Sequence, residues 1–261
     1  MKYFDSHAHY YDERFESESE GVDELIGALL SSTVSGIVNV GTSHETSRLA
    51  ISQAKKYDEM YTALGLHPSD IRYIDIKPCD AISEIRELIL DPENKCVALG
   101  EIGLDYHYPD IDKAAQWEAF DMQMTLADEL SLPVVIHDRE AHGDVMDMIR
   151  KHPSVRGILH SYSGSPEMAL ELCKRGYTIS FSGTLTFTNA RKVREVAAVL
   201  DKDSVIIETD CPYLAPHPHR GKLNHSGFLE WTNRRLSEIL GISEEDCAIL
   251  TERNARRVFG I

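Results

Sequence analysis

The sequence has few cysteines, and they follow no regular spacing. Five occur in 261 residues, at positions 79, 96, 173, 211 and 247, and no two of them form a C-x-x-C pair. An odd number at irregular spacing argues against a disulfide framework and against a zinc ribbon. We therefore expect reduced thiols, which are typical of the cytoplasm.

Long apolar runs are also absent. No run approaches the ~18–20 residues that a helix needs to span a bilayer. Positions 12–20 carry five carboxylates, where a signal peptide would have an apolar core. No Gly/Ser-rich tract marks a linker, and a chain with 42% hydrophobic residues can bury one large core. We expect a single cytoplasmic domain over residues 1–261, with no membrane anchor and no obligate protein partner.

Positive charge is scarce as well. Lys and Arg number 27 against 43 Asp and Glu, which gives a formal net charge of -16. This balance argues against a broad basic face that wraps nucleic acid. It leaves room for a small site in which bound metal cations supply the positive charge, because an ion can dominate its local field.

The chain does contain one unit that repeats eight times, a short apolar run followed by an amphipathic segment. The predicted strands are residues 2–9, 36–41, 60–67, 97–105, 133–139, 157–161, 177–183 and 204–209. The predicted helices are residues 21–31, 45–57, 80–90, 113–130, 141–151, 166–175 and 189–200, with two more at 228–240 and 244–258. This alternation predicts parallel strands with right-handed crossovers. Eight repeats predict an α/β fold closed into a (β/α)8 TIM barrel.

Polar side chains stand at the predicted strand ends, where barrel enzymes place their active sites. His7 and His9 are two residues apart, so in an extended strand they face the same way and can hold one metal ion. Apolar runs also lead into four further polar groups. The full set is His7, His9, Glu101, His137, His160 and Asp210. Any one of them alone is more simply a hydrogen-bonded strand end, but six converging on one barrel mouth indicate a site.

Four imidazoles and two carboxylates exceed the needs of one tetrahedral zinc. They favour two divalent metal ions joined by a carboxylate bridge. Mixed nitrogen and oxygen ligands suit Zn²⁺, Mn²⁺, Fe²⁺ or Ni²⁺, whereas Mg²⁺ usually takes more oxygen. The sequence leaves the identity of the ion open, Mg²⁺ included. It contains no H-E-x-x-H, so a zincin protease is not indicated.

Several motifs resemble those of a known family. They include D-S-H-A-H at residues 5–9, G-L-H-P at 65–68, G-E-I-G-L-D-Y at 100–106 and E-T-D-C-P-Y-L at 208–214. In this order they resemble the TatD family of metal-dependent deoxyribonucleases, within the amidohydrolase-like superfamily. The resemblance runs from residue 5 to residue 259. It implies a divalent-metal cluster held by the six strand-end residues, with Glu101 as the bridge.

One segment departs from the family pattern. The family usually follows Arg-Gly-Lys-x-Asn with Glu-Pro, and here the loop from Arg220 through Lys222 to Asn224 continues with His225 and Ser226. The resemblance therefore does not extend to the substrate preference that this part of the loop would set.

Four further residues are predicted to contact substrate, each with a structural alternative. Arg139 shares a face with His137 and can clamp a phosphate, unless it pairs with a nearby acid. His67 ends the third strand and is expected to contact phosphate or to cap the strand. Arg220 and Lys222 either meet a DNA backbone or lie on a solvated loop. Asp5 is expected either to support the metal-binding histidines through hydrogen bonds or to make a hydrogen bond that serves the fold alone.

The resemblance implies a deoxyribonuclease, and we expect a 3'-5' exonuclease that uses metal-activated water. Asp210 would take the proton from that water, and Glu101 would hold the cluster together. The alternative is an ester or amide hydrolase that acts on a small molecule or on aminoacyl-tRNA, because barrels support many chemistries through their loops. The third hypothesis is a metal-binding protein without catalytic activity.

Overall fold

The computed structural model describes residues 1–17 and 21–261, so that residues 18–20 of the acidic run lie outside the description. Within the described residues, eight parallel strands form one sheet in sequential order. They are β1 (Tyr3–Ala8), β2 (Val34–Val40), β3 (Met60–Leu64), β4 (Cys96–Asp105), β5 (Val134–Arg139), β6 (Gly157–Leu159), β7 (Thr178–Phe181) and β8 (Val205–Ile207). Each pairs with the next along the chain.

The sheet closes on itself just beyond β8. Ala8 forms a parallel bridge with Cys211. The backbone N–H of His9 donates to the carbonyl of Cys211 at 2.8 Å, and that of Asp210 donates to the carbonyl of His7 at 2.9 Å. The predicted (β/α)8 TIM barrel is confirmed.

A helix follows every strand, and one more ends the chain. They are α1 (Val22–Ser32), α2 (His44–Ala54), α3 (Pro78–Leu90), α4 (Lys113–Leu130), α5 (His142–Lys151), α6 (Pro166–Lys174), α7 (Arg191–Val199), α8 (Leu229–Leu240) and α9 (Glu244–Phe259). Ser165 and Ser243 cap α6 and α9 by accepting backbone N–H groups, which satisfies donors that have no partner inside the helix. The described helices include none that is long and apolar enough to cross a membrane.

Alternation along the strands divides the core into an interior and an outer layer. In β2, Val38 packs with Phe4, Val135 and Ile206 in a cluster drawn from several strands, whereas its neighbour Ile37 packs in another cluster. Successive side chains of a strand face opposite sides, so the first cluster fills the barrel. Phe259 of α9 joins this cluster at a ring distance of 6.4 Å from Phe4. The strands therefore surround a solid core, with polar side chains at their carboxyl ends.

Candidate metal centre

The six predicted ligands meet at the carboxyl end of the barrel. They come from five strand ends, and they are His7 and His9, Glu101, His137, His160 and Asp210. A cavity of about 500 Å³ opens over them, and its lining includes all of the six except His7, which is fully buried. Positions far apart in the sequence thus form one site in space.

Glu101 has its two carboxylate oxygens directed at different imidazoles. Oε2 lies 3.4 Å from His7 Nε2 and 3.7 Å from His9 Nε2. Oε1 lies 2.8 Å from His137 Nδ1 and 3.2 Å from His160 Nε2. This is the placement expected of a carboxylate that bridges two cations.

Asp210 enters the site from the turn after β8. Its Oδ1 lies 3.4 Å from His9 Nε2 and 3.8 Å from His7 Nε2. The residue has a left-handed backbone with φ 57°, a conformation that Asp adopts more readily than most residues. Its backbone N–H is held by the carbonyl of His7. The turn therefore directs the carboxylate back toward β1.

Three groups of potential ligand atoms overlap in the site, and within each group the atoms lie within 4.8 Å of one another. The groups are His7, His160 and Asp210; His7, His9 and Glu101; and His67, Glu101 and His137. Imidazole nitrogen and carboxylate oxygen together suit zinc, manganese or iron. The site is therefore chemically suited to more than one kind of divalent cation.

Two histidines are oriented by hydrogen bonds from their outer nitrogens. His9 Nδ1 lies 2.7 Å from the carbonyl of Val40. A carbonyl only accepts, so Nδ1 carries the proton and Nε2 presents a lone pair to the site. His160 Nδ1 likewise donates to Glu208 Oε1 at 3.0 Å, which leaves Nε2 facing Glu101. Proteins commonly orient metal-binding histidines in this way.

The inner nitrogens meet one another with few donors between them. His7 Nε2 and His9 Nε2 are only 3.0 Å apart. The buried His7 Nδ1 has no hydrogen-bond partner among the described residues. Lone pairs and carboxylate oxygens brought together in a buried place require positive charge between them. The residues present therefore fit divalent cations.

The electrostatics of the site favour positive charge. Burial would raise the pKa of the Glu101 carboxyl, but the imidazoles of His160 and His67 hold it well below its usual range. Burial would lower the pKa of His137, yet its hydrogen bonds with Asp105 and Glu101 raise it to about 9. A field that stabilises a protonated imidazole also stabilises a metal cation in the same place.

His67, predicted to contact substrate, lies among the ligand atoms themselves. Its Nε2 is 3.4 Å from Glu101 Oε1. Its Nδ1 accepts the backbone N–H of Ser69 at 3.1 Å, so in the neutral ring Nε2 carries the proton. A protonated Nε2 is a hydrogen-bond donor and has no lone pair for a metal. The contact with Ser69 therefore separates His67 from the histidines that present lone pairs.

The structure adds two carboxylates that the sequence reasoning missed. Glu208 is fully buried, and its Oε1 accepts from His160 Nδ1 and from the backbone N–H of Ser161. Asp105 Oδ2 lies 3.3 Å from His137 Nε2. Both follow apolar strand runs, as the six predicted ligands do, and this was the signal that could have identified them. They hold the imidazoles in place.

Asp5 acts through the backbone more than through the histidine rings. Its carboxylate accepts from the Thr209 hydroxyl at 2.6 Å and from the Ser226 hydroxyl at 2.7 Å, and its link to His7 is a 3.3 Å bond with the backbone N–H. Ser226 is where the sequence departs from the usual Glu-Pro. Asp5 thus fastens β1 to the chain that follows β8.

The remaining predicted substrate residues occupy different places. Arg139 is exposed and lines the cavity over the ligands. Arg220 and Lys222 are exposed on the loop after β8, and neither is part of that lining. The Arg220 guanidinium lies over the ring of Phe187 at 4.2 Å. Of the three cations, the structure brings only Arg139 to the ligand cluster.

Gly103 allows β4 to approach β5 beside the ligands. It has φ 136°, and a Cβ built there would lie 2.0 Å from the carbonyl oxygen of His137. No side chain fits in that space, and L-residues rarely adopt this φ. The glycine therefore sets the distance between the strands that carry Glu101 and His137.

Comparison with known proteins agrees with this geometry. The family described as TatD related DNase matches residues 4–260. The chain is 38% identical to "Uncharacterized metal-dependent hydrolase YabD" of Bacillus subtilis, over 99% of both chains. It is 33% identical to "Uncharacterized metal-dependent hydrolase YcfH" of Escherichia coli K12, over 98% of this chain and 95% of that one.

Solved structures show the same fold. The crystal structure of YJJV, a TatD homolog from Escherichia coli K12, matches with a TM-score of 0.88 and 27% identity, over 99% of this chain and 98% of that one. A dihydroorotase from Campylobacter jejuni matches with a TM-score of 0.59 and 13% identity, over 100% and 83%. The second likeness extends to the barrel alone.

Proposed function

Because the chain belongs to the TatD related DNase family of metal-dependent hydrolases, we propose that it hydrolyses phosphodiester bonds of DNA, with two divalent cations held by the six strand-end residues. The observation that carries the proposal is that the two carboxylate oxygens of Glu101 face different histidines. Oε2 faces His7 and His9, and Oε1 faces His137 and His160. One carboxylate placed in this way serves a pair of cations better than a single one.

Cations bound there would supply Lewis acidity, neutralising phosphate charge and lowering the pKa of water. Asp210 is the residue suited to accept a proton from that water. Its side chain lines the cavity. Burial would raise the pKa of Asp210, but the neighbouring imidazoles, that of His9 first and then that of His160, lower it. The carboxylate is therefore ionised and able to act as a base.

Two side chains are suited to hold the phosphate. His67 Nε2 carries a proton toward the Glu101 end of the cavity, as its bond with Ser69 requires. Arg139 lines the same cavity with a guanidinium, whose paired N–H groups match two phosphate oxygens. A donor and a cation beside the ligands would orient a phosphodiester for attack.

A cavity of about 500 Å³ holds a few nucleotide groups and not a duplex. This size supports trimming of single-stranded ends, and we assign the 3'-5' direction as the polarity to be tested. All five cysteines are free thiols, which supports action in the reducing cytoplasm. We further propose that residues 1–261 act as one domain.

The experiment is a substrate panel with Mg²⁺, Mn²⁺ and Zn²⁺ in turn. Single-stranded oligonucleotides labelled at either end report cleavage and its polarity, while carboxylic esters, amides and an aminoacyl-tRNA report the alternative chemistry. The proposal expects mononucleotides to be released from the 3' end, with the release lost in His137→Ala. His152→Ala is the matched control, because the imidazole of His152 pairs with Asp121 outside the site.

A second candidate is hydrolysis of a carbonyl substrate by the same site. The formal net charge of -16 favours it, because an acidic surface repels a long polyanion. Activity on the esters or amides without nucleotide release from any oligonucleotide would replace the first proposal with this one.

A further inference from the structure

A second cavity adjoins the one over the metal ligands. It has a volume of about 340 Å³ and lies between the loop after β3 and the loop after β4. Ser69 and Tyr108 line both cavities, so the two are neighbours across these side chains. A molecule held at the cluster can therefore extend past Tyr108 into the second space.

The second cavity has the walls that a flat ring requires. Its apolar lining includes Pro68, Ile71 and Ile111, and the Tyr108 side chain is 40% exposed beside them. An exposed aromatic next to apolar side chains offers a stacking surface at little entropic cost.

Two arginines flank this tyrosine. The Arg72 guanidinium lies 5.5 Å and that of Arg139 5.7 Å from the centre of the Tyr108 ring. Neither arginine forms an ion pair within residues 1–17 and 21–261. Several other arginines meet acids, as Arg48 meets Glu84 at 2.8 Å, and Arg194 donates to the backbone carbonyl of Leu185 instead. In a chain with so many carboxylates, two unpaired guanidiniums beside one ring mark a place for an anion with a flat group attached.

We infer that the Tyr108 cavity binds the nucleobase of the nucleotide next to the phosphate that is cleaved. Tyr108 stacks on the base, Arg139 contacts the phosphate on the cluster side, and Arg72 lies on the far side, where the next phosphate would pass. This inference rests on the proposed function, since it names the subsite that a DNA-cleaving centre would use. The lining also includes Asp112 and Gln116, but their polar atoms already bond to the backbone of Ala115 and Asp105. A mostly apolar cavity of this kind predicts tolerance of all four bases.

The test compares Tyr108→Ala and Tyr108→Phe with wild type on two single-stranded oligonucleotides. One carries ordinary bases, and the other has abasic residues at the end that is trimmed. Tyr73→Ala is the matched control. Tyr73 is an exposed tyrosine that also lies near the Arg72 guanidinium, at 4.7 Å, but it lines neither of the two cavities.

We expect Tyr108→Ala to raise KM for the ordinary oligonucleotide roughly tenfold, with kcat changed little, because stacking on one base is lost. On the abasic oligonucleotide the same variant should differ from wild type less than twofold. Tyr108→Phe should keep the wild-type KM, and Tyr73→Ala should match wild type on both substrates.

Equal losses on the ordinary and abasic oligonucleotides would assign Tyr108 a structural role and overturn the inference, as would an unchanged KM on both. Both outcomes leave DNA cleavage itself standing. If wild type released no nucleotides with any metal but hydrolysed an ester whose KM rose in Tyr108→Ala, the proposed function would fail and the cavity would be assigned to the acyl or leaving group of that ester.

Discussion

Polar groups at the two ends of the barrel differ in whether they have partners within the protein. At the amino end, donors meet acceptors. Lys95 Nζ, just before β4, donates to the carbonyl of Tyr57 at 2.6 Å, and Asn254 of α9 donates to the carbonyl of Val205 at 2.9 Å. Asp203, just before β8, pairs with Arg253. Each of these polar groups has its partner within the protein.

At the carboxyl end, several hydrogen-bond acceptors face one another. His7 Nε2 is 3.0 Å from His9 Nε2, and His160 Nε2 faces Glu101 although its own proton is donated to Glu208. The fold can hold these unfavourable contacts because hydrogen bonds and ion pairs elsewhere in the barrel stabilise it. Polar groups at the amino end are therefore paired within the protein, whereas the acceptors gathered at the carboxyl end are suited to bind added positive charge.

Among single substitutions at the two ends, Glu101→Gln should have the largest effect. The amide keeps the size of the side chain but removes the charge that both groups of imidazoles face. We expect bound metal, two ions in the proposed centre, to fall toward none and turnover to fall by about 10³-fold or more. Elemental analysis measures the metal content, and initial rates on the active substrate measure the turnover.

Glu140→Gln is the matched control for that change. Glu140 is exposed, and it pairs with His107 at 2.7 Å outside the ligand cluster. Its metal content and turnover should equal those of wild type. Full metal content in Glu101→Gln would show that the carboxyl end is not organised around this carboxylate.

Gly103→Ala should disturb the site through the backbone. The added Cβ would meet the carbonyl of His137 at 2.0 Å in a conformation that alanine avoids. We expect a loss of about 3 kcal/mol in the free energy of unfolding, together with weaker metal binding. Denaturant unfolding and metal titration report the two effects.

Gly143→Ala provides the comparison for Gly103. Gly143 lies in α5, and beyond the adjacent backbone of that helix no atom of residues 1–17 and 21–261 lies within 4 Å of the position that a Cβ would take there. Alanine there should raise the free energy of unfolding by about 0.5–1 kcal/mol, because it restricts the unfolded chain and suits a helix. Similar responses at the two glycines would contradict the close approach of β4 and β5.

Glu208→Gln tests whether the carboxyl end depends on hydrogen bonds to the outer side of its imidazoles. Glu208 Oε1 accepts from His160 Nδ1 at 3.0 Å. The Gln amide oxygen can still accept this bond but carries no negative charge, and this weaker acceptor should lower metal affinity about 10- to 100-fold while the protein stays folded. Glu167→Gln, on the exposed first turn of α6, serves as the control. Equal metal affinity in both variants would reduce Glu208 to a packing role.

The sequence predicts most of the barrel because its local signals are strong. The helix predicted at residues 113–130 coincides with α4, and the one predicted at residues 166–175 agrees with α6 to within one residue. Strand ends are less accurate. The eighth strand is predicted to run to residue 209 but ends at Ile207, because the chain turns there to reach the left-handed Asp210.

The parts of the site that escape prediction depend on contacts across long stretches of chain. Glu208 meets His160, 48 residues earlier, and no periodicity shows that its side chain turns toward that ring. The proton of His67 is placed by the backbone of Ser69, so only the loop conformation distinguishes it from the lone-pair histidines. Spacing within a strand predicts which residues lie at the carboxyl end of the barrel. The tautomers of the histidines and the carboxylates that support them depend on contacts that form only in the folded protein.

Arg253→Ala, at the amino end, should have the smallest effect of these substitutions. Arg253 and Asp203 pair at the amino end with both side chains more than half exposed. Water competes for exposed charges, so the loss should be no more than about 1 kcal/mol in the free energy of unfolding. Metal content and turnover should equal those of wild type, because this pair satisfies itself and is not part of the site. A fall in metal content would mean that the two ends are coupled through the barrel core, and that the carboxyl end owes its geometry to charges at the other end of the strands.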